Sequence, residues 1–343
     1  MKHEQKKYDE QRVPAGWVDR LRRLSGDAEI QGALTADQLA MIYDRRWFKL
    51  FVPNSLGGLE WSLPAGVRLE EELARIDGSL GWTVTLCAGA NLFVGYMDRS
   101  IAEVVFADPK VCLGGSGQVA GNAVDRGSGY VVSGKWRYAT GAPHLTHFTA
   151  NCETEHGVRS FFFPKADVQM IADWNAFGLK ATASHSFAVD QVWADPSQAF
   201  LIAPEAATWD HPIYQYPFLQ FAEATLAVNT LGMARHFLEC VAELDIAALR
   251  KVVQTAESQL TQVRESFYGA LDHSWNELLC AGELPPDVLE PVSVASRTLV
   301  KTSRKQVVAI YPHVGMVGAD ASSEMNRVWR DIFTASQHSL LRL

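Results

Sequence analysis

Residues 127–141, GSGYVVSGKWRYATG, decide how this chain is read. The run is short, rich in β-branched and aromatic residues, and bounded by glycines, as a strand between turns would be. Residues 144–152 (HLTHFTANC), 158–164 (VRSFFFP) and 184–196 (SHSFAVDQVWADP) share that character. Several such runs in close succession predict an antiparallel β-unit of about 100 residues. We place it at 111–216.

On both sides of this unit the apolar residues change to a helical period. In front, Thr35 is an N-cap candidate for a helix through ADQLAMIYDRRWFKLF, where Leu39, Ile42 and Tyr43 recur on one face. That helix is expected to run up to Pro53, before the turn-rich SLGGLEWSLP. PAGVRLEEELARID is read as a second helix with Pro64 in its first turn, and SLGWTVTLCAGANLFVGYM as a third, buried on several sides. Behind the β-unit, Ala227, Leu231, Ala234, Leu238 and Val241 form one stripe. Leu260, Val263, Phe267, Leu271, Trp275 and Leu278 form another. VSVASRTLVKTSRKQVVAI and SEMNRVWRDIFTASQHSLL supply two more helices, and such seams suit an antiparallel bundle. The expected organisation is α+β: an N-terminal helical domain over 1–110, the β-domain, and a helical bundle over 217–343. In the last helix, Arg327 and Asp331 are spaced to pair across one turn.

The composition, 48% hydrophobic and 20% charged over 343 residues, is that of a globular protein with a large core. A net charge of -8 without a basic block argues against nucleic acid or an anionic membrane surface as partner. The start, MKHEQKKYDE, lacks the apolar core of a secretion signal, and no uncharged apolar run reaches bilayer length, so a cytoplasmic protein is expected. The five cysteines are far apart and form no C-x-x-C, which predicts five buried thiols, no disulfides and no zinc site. His144 and His147, three apart on a predicted strand, would face opposite ways and hold no metal. Gly115–Ala120 matches G-x-G-x-x-A, but no helix pattern follows it, which excludes a dinucleotide fold there.

Five stretches, VPNSLGGLEWSL, EEELARIDGSLGWTVTL, VSGKWRYATGAPHLTHFTA, FGLKATASHSFAVDQVWADP and NRVWRDIFTASQH, occur in an order that resembles the acyl-CoA dehydrogenase superfamily. Within it, the chain is similar to the oxygenase components of two-component flavin-dependent monooxygenases. The resemblance implies bound FMN or FAD, preferentially reduced, a separate flavin reductase, a small organic substrate and a homo-oligomer, most plainly a tetramer. By the same resemblance, Trp136, Ala139 and Thr140 would lie against the flavin ring, joined by Gly115 and Ser116. His185 is a substrate-side candidate. His338, in its S-Q-H context, would face the reactive part of the flavin, where an imidazole can donate or accept a proton near neutral pH.

Two departures keep alternatives open. No acidic residue follows Asp331, so a dehydrogenase base would have to be Glu223. The bundle is also short for the family, and the arginine–phenylalanine segment that reaches a neighbouring subunit's FAD is not recognisable, with DIAALRKVVQTAES in its place. An acyl-CoA dehydrogenase using Glu223, or a relative that has lost catalysis and serves as a binding scaffold, are the competing readings.

Overall fold

Side-chain caps set the starts of the front helices. The computed structural model describes residues 12–341. After α1 (Ala15–Gln31), Thr35 opens α2 (Ala36–Asp44): its Oγ1 accepts from the Gln38 amide at 3.1 Å, and Gln38 Oε1 accepts from the Thr35 amide at 2.9 Å. The predicted helix to Pro53 ends early, at Asp44, because Arg46 takes a left-handed φ of 56°. A tight turn, Trp47–Lys49, follows. The physical reason is burial on all sides: Trp47, Phe48, Leu50, Phe51 and Val52 are all buried, which one face of a helix cannot achieve. Asp77 closes α3 (Leu63–Ile76), donating its amide to Leu73, and caps α4 (Gly78–Asn91) through Oδ1 on the Leu80 amide at 2.7 Å. As predicted, α4 is buried nearly all round. A short α5 (Arg99–Phe106) leads into the sheet.

Among the described residues the sheet has seven strands: β1 (Leu113–Asp125), β2 (Tyr130–Ala139), β3 (His147–Thr154), β4 (Gly157–Pro164), β5 (Gln169–Ile171), β6 (His185–Ala194) and β7 (Ala199–Phe200). Their order is β5-β6-β2-β1-β3-β4-β7. Its pairings are antiparallel except β1 with β3, which run parallel. The chain leaves β2 at the end where β1 begins, and β3 starts there too, with His147 opposite Leu113. The Gly115–Ala120 stretch lies inside β1, where the register with β3 shifts between Ser116 and Val119.

The bundle comprises α6 (Phe218–Glu243), α7 (Ala247–Ala281), α8 (Pro286–Ile310) and α9 (Glu324–Ala335). The predicted stripe on α6 is buried throughout, and that on α7 is buried except for the half-buried Val263. Gly232 lets α6 meet α3 closely, since a Cβ there would sit 2.4 Å from the Glu71 carbonyl. Nearby, the buried Glu71 carboxylate accepts from Tyr268 at 2.6 Å, Arg264 at 2.8 Å and Arg235 at 3.2 Å, tying α3, α6 and α7 together.

Two expectations are corrected. Arg327 does not pair with Asp331; it reaches Glu324 at 3.8 Å, while Asp331 Oδ1 accepts from the Leu179 amide at 2.5 Å. The docking of the 175–183 loop on α9 claims the carboxylate before its helical neighbour can. Of the cysteines, Cys87, Cys112 and Cys152 are buried, but Cys240 is half-buried and Cys280 exposed, because both fall on outward positions of the bundle. Among the described residues no helix is long and apolar enough to cross a membrane.

Candidate active site

A cavity of about 190 Å³ opens where α4, the start of α6, the sheet and the segment after α9 meet. The sheet contributes Gly114–Gly117 of β1 and Thr149, Asn151 and Ser160 of β3 and β4. Thr140, just past β2, completes that wall. Facing it are Thr85, Leu86 and Gly89 of α4, with Phe93 beyond, and Phe218, Phe221 and Leu226 of α6. His338 and Leu340 line it from the C-terminal segment.

A chain of hydroxyls holds Thr140. Its Oγ1 lies 2.9 Å from Ser184 Oγ, which lies 2.7 Å from Thr182 Oγ1, which donates to the Leu179 carbonyl at 2.8 Å. Thr182 thus holds the turn from Leu179, and Ser184 links that turn to the cavity wall at Thr140. Leu179 and Ala183 take left-handed φ values of 51° and 44° to bring this loop under the strand.

His338 lies past the end of α9, whose C-cap is Ser336, so it stands in a terminal turn and not on the helix. Its amide donates to Ala335 at 3.1 Å, its Nδ1 accepts from the Leu340 amide at 3.3 Å, and its ring meets Trp82 edge-on at 6.0 Å.

Of the sequence candidates, Gly115, Ser116, Thr140 and His338 come together at this cavity. Trp136 and Ala139 are fully buried and do not line it. The Trp136 ring stacks on Phe187 at 5.1 Å and donates Nε1 to the Asn151 carbonyl at 3.0 Å, one layer behind the wall. His185 also lies off the cavity, with Nδ1 accepting from the Trp174 amide at 2.9 Å and burial lowering its pKa. Thr85, Phe93, Phe218 and Phe221 escaped sequence reading because each resembles an ordinary helix residue; only the clustered aromatics Phe218 and Phe221 offered a signal.

Glu223 is buried, and its carboxylate accepts from Ser293 and, at 3.2 Å, from Arg297 of α8. It does not line the cavity. A second, more open hollow of about 470 Å³ lies between the 175–180 loop and α9, where Lys180 and Arg330 share Glu29 at 3.5 and 2.5 Å. Asp331, beside it, is pushed up to about 8 by burial and by the nearby Asp77 carboxylate.

The topology also gathers residues that the sequence scattered. Cys87 of α4, Cys112 ahead of β1 and His144 of the turn after β2 place their donor atoms within 4.8 Å of one another. His144 therefore does not belong to a strand with His147, as was expected, but to a separate turn. Against the penalty of burial, hydrogen bonds from Cys112 and His144 lower the Cys87 thiol, while burial and Cys87 push Cys112 up.

Residues 224–343 match the family model described as acyl-CoA dehydrogenase, C-terminal domain. The fold agrees along nearly the whole chain: the crystal structure of the HsaA monooxygenase from M. tuberculosis superposes with a TM-score of 0.89 at 19% identity, covering 95% of this chain and 93% of that one. The last third of the chain thus carries the C-terminal domain of the acyl-CoA dehydrogenase family. The chain is similar along most of its length to indole-3-acetate monooxygenase of Pseudomonas putida, 24% identical over 92% of this chain and 86% of that protein. The flavin-dependent monooxygenase oxygenase subunit HsaA of Mycobacterium tuberculosis is likewise 24% identical, over 86% of this chain and 82% of that subunit. A further solved structure, XiaF from Streptomyces sp. in complex with FADH2 and glycerol, superposes with a TM-score of 0.84 at 21% identity, covering 95% of this chain and 89% of that one.

Proposed function

We propose that this protein is the oxygenase component of a two-component flavin-dependent monooxygenase, receiving reduced FMN or FAD from a separate reductase and hydroxylating a small organic substrate. The observation that carries the reading is the meeting of His338 with Thr140, Gly115 and Ser116 at one cavity whose opposite wall is aromatic. A largely apolar cavity with glycine backbone and hydroxyls on one side suits a flavin ring, whose faces are apolar and whose edges hydrogen-bond. The flavin, when bound, supplies the activation of oxygen. The chain's own residues do the rest: Thr140 and the Gly114–Gly117 backbone orient the ring, Phe93, Phe218 and Phe221 exclude water, and the His338 imidazole holds or passes a proton.

The dehydrogenase alternative needs a free carboxylate at the cavity, and Glu223 is instead engaged by Ser293 and Arg297. Full-length likeness to named oxygenases, covering 93% of the HsaA structure, weighs against a scaffold that has lost catalysis. Anaerobic titration tests the proposal: reduced flavin should bind more tightly than oxidised flavin, and mixing with oxygen and an aromatic acid or phenol should yield hydroxylated product. Equal, tight binding of oxidised FAD together with oxidation of an acyl thioester would overturn it.

We also propose a cytoplasmic homo-oligomer, most plainly a tetramer. Val252 and Leu279 on α7 and Val294 and Val308 on α8 are exposed apolar side chains on the outside of the bundle, the kind of surface an obligate interface covers. A stable monomer in sedimentation at micromolar concentration would remove this assignment.

A further inference from the structure

We propose that Cys87, Cys112 and His144 form a binding site for one soft divalent cation of the zinc class, held between the helical front and the sheet. Two thiolate sulfurs and an imidazole nitrogen are the donor set that such ions select over magnesium or calcium. The donor atoms all lie within 4.8 Å of one another, and Cys87 Sγ is 3.9 Å from His144 Nε2. Around a tetrahedral zinc the corresponding edges are about 3.6–3.8 Å. The three groups thus reach ligand distance by shifts of under about an ångström, within the reach of side-chain rotation.

The backbone that presents these donors is fixed independently of them. Gly141, at φ 77°, donates its amide to the Thr182 carbonyl at 2.8 Å and accepts from the His144 amide at 2.9 Å. A side chain at 141 would press on this cluster: its Cβ would lie 2.6 Å from the His144 ring and 3.2 Å from Cys87 Sγ. Thr146 Oγ1 accepts from the Cys112 amide at 3.0 Å and contacts the Cys112 carbonyl at 3.1 Å, clamping that residue. Phe48 stacks on the His144 ring at 5.3 Å, with planes 10° apart, and sets its plane. Both cysteines are fully buried while His144 is half-exposed, so the ion enters on the imidazole side.

Three protein donors leave a fourth position. The Thr140 carbonyl, 3.8 Å from Cys87 Sγ, or a water fills it. On binding, the thiols release their protons to solvent. The ion then ties α4 to the turn that carries Thr140, so it stiffens a wall of the cavity without reacting there.

The test uses the reduced full-length chain, stripped with a chelator and titrated with Co²⁺ as a spectroscopic probe. One equivalent should bind with a thiolate-to-cobalt charge-transfer band and tetrahedral visible absorption, and Zn²⁺ should displace it. Zn²⁺ should also raise the melting temperature of the wild type. Cys87→Ser and Cys112→Ser should each lose the band and weaken binding by at least the roughly 10- to 100-fold typical of second-shell changes. Where a sulfur variant fails to fold, His144→Gln, at a half-exposed position, serves in its place. Cys240→Ser, in the separate cluster of His236, Cys240 and Glu324, should leave the band intact. Absence of a charge-transfer band in the wild type overturns the proposal. So does a band that survives Cys112→Ser and His144→Gln, or one that disappears in Cys240→Ser.

Discussion

The two sides of the cavity are built in opposite ways. On the sheet side two lining residues have support behind them: Thr140 leans on Ser184 and Thr182, and Asn151 on the buried Trp136. On the other side His338 stands beyond the end of its helix, fixed by local backbone bonds and the edge of Trp82. The contrast separates two tasks. On the proposed function, a surface that would hold a planar cofactor benefits from rigid placement, whereas a group that would pass a proton needs position more than a deep foundation.

The largest effect expected from this contrast is on stability. Trp136→Ala should destabilise the protein by about 3–5 kcal/mol, the usual cost of deleting a buried aromatic, and loosen the Asn151 contact with it. Urea unfolding reads the change; a loss below about 1 kcal/mol would mean the sheet wall is not the rigid partner. His338→Ala should show the converse, with an unfolding midpoint near wild type and hydroxylation lower by about 10²-fold or more. Reduced flavin would still react with oxygen, and the electrons would appear as hydrogen peroxide. Glu223→Gln should leave hydroxylation close to wild type. If product assays rank the two variants the other way, the proton-handling role moves from the C-terminal segment to α6.

Asp331 joins the two sides, since it lies on α9 and holds the Leu179 amide of the loop beneath Thr140. Its folded pKa, about 8, is above the ordinary 3.8, so the folded protein keeps a proton that the unfolded chain releases. That contribution to stability is full below 3.8 and is lost as pH rises through about 8. The slope across this window is at most about 1.4 kcal/mol per pH unit. Asp331→Asn keeps an oxygen for the Leu179 amide and should flatten the slope. An unchanged pH dependence of the urea midpoint would show that the carboxyl is not protonated between the two sides.

Periodicity and turn chemistry are local properties, and they sufficed for much of the architecture. The α6 stripe from Ala227 to Val241, the Thr35 cap and the break at Asp77 rest on spacings of a few residues. The strand runs from Gly127 to Asp195 were legible for the same reason. The failures came where distant segments compete for one group. Nothing within a helical turn of Asp331 indicates that Leu179 will take its carboxylate, and nothing near Trp47 shows that its neighbours are buried on every side.

The site divides along the same line. Gly115, Ser116, Thr140 and His338 became candidates through the resemblance of the sequence to a known superfamily, not through residue type alone. Their assembly, and the demotion of Trp136 to the layer behind, required the sheet order that sets β2 beside β1 and the bundle that returns the chain end to α4. The grouping of Cys87, Cys112 and His144 had no sequence signal at all, since their spacing fits no ligand motif and three separate elements supply them. A sequence determines what each short segment prefers to be. Only packing decides which side chains from far-apart segments share one volume, because that is set by burying apolar faces together and not by neighbours along the chain.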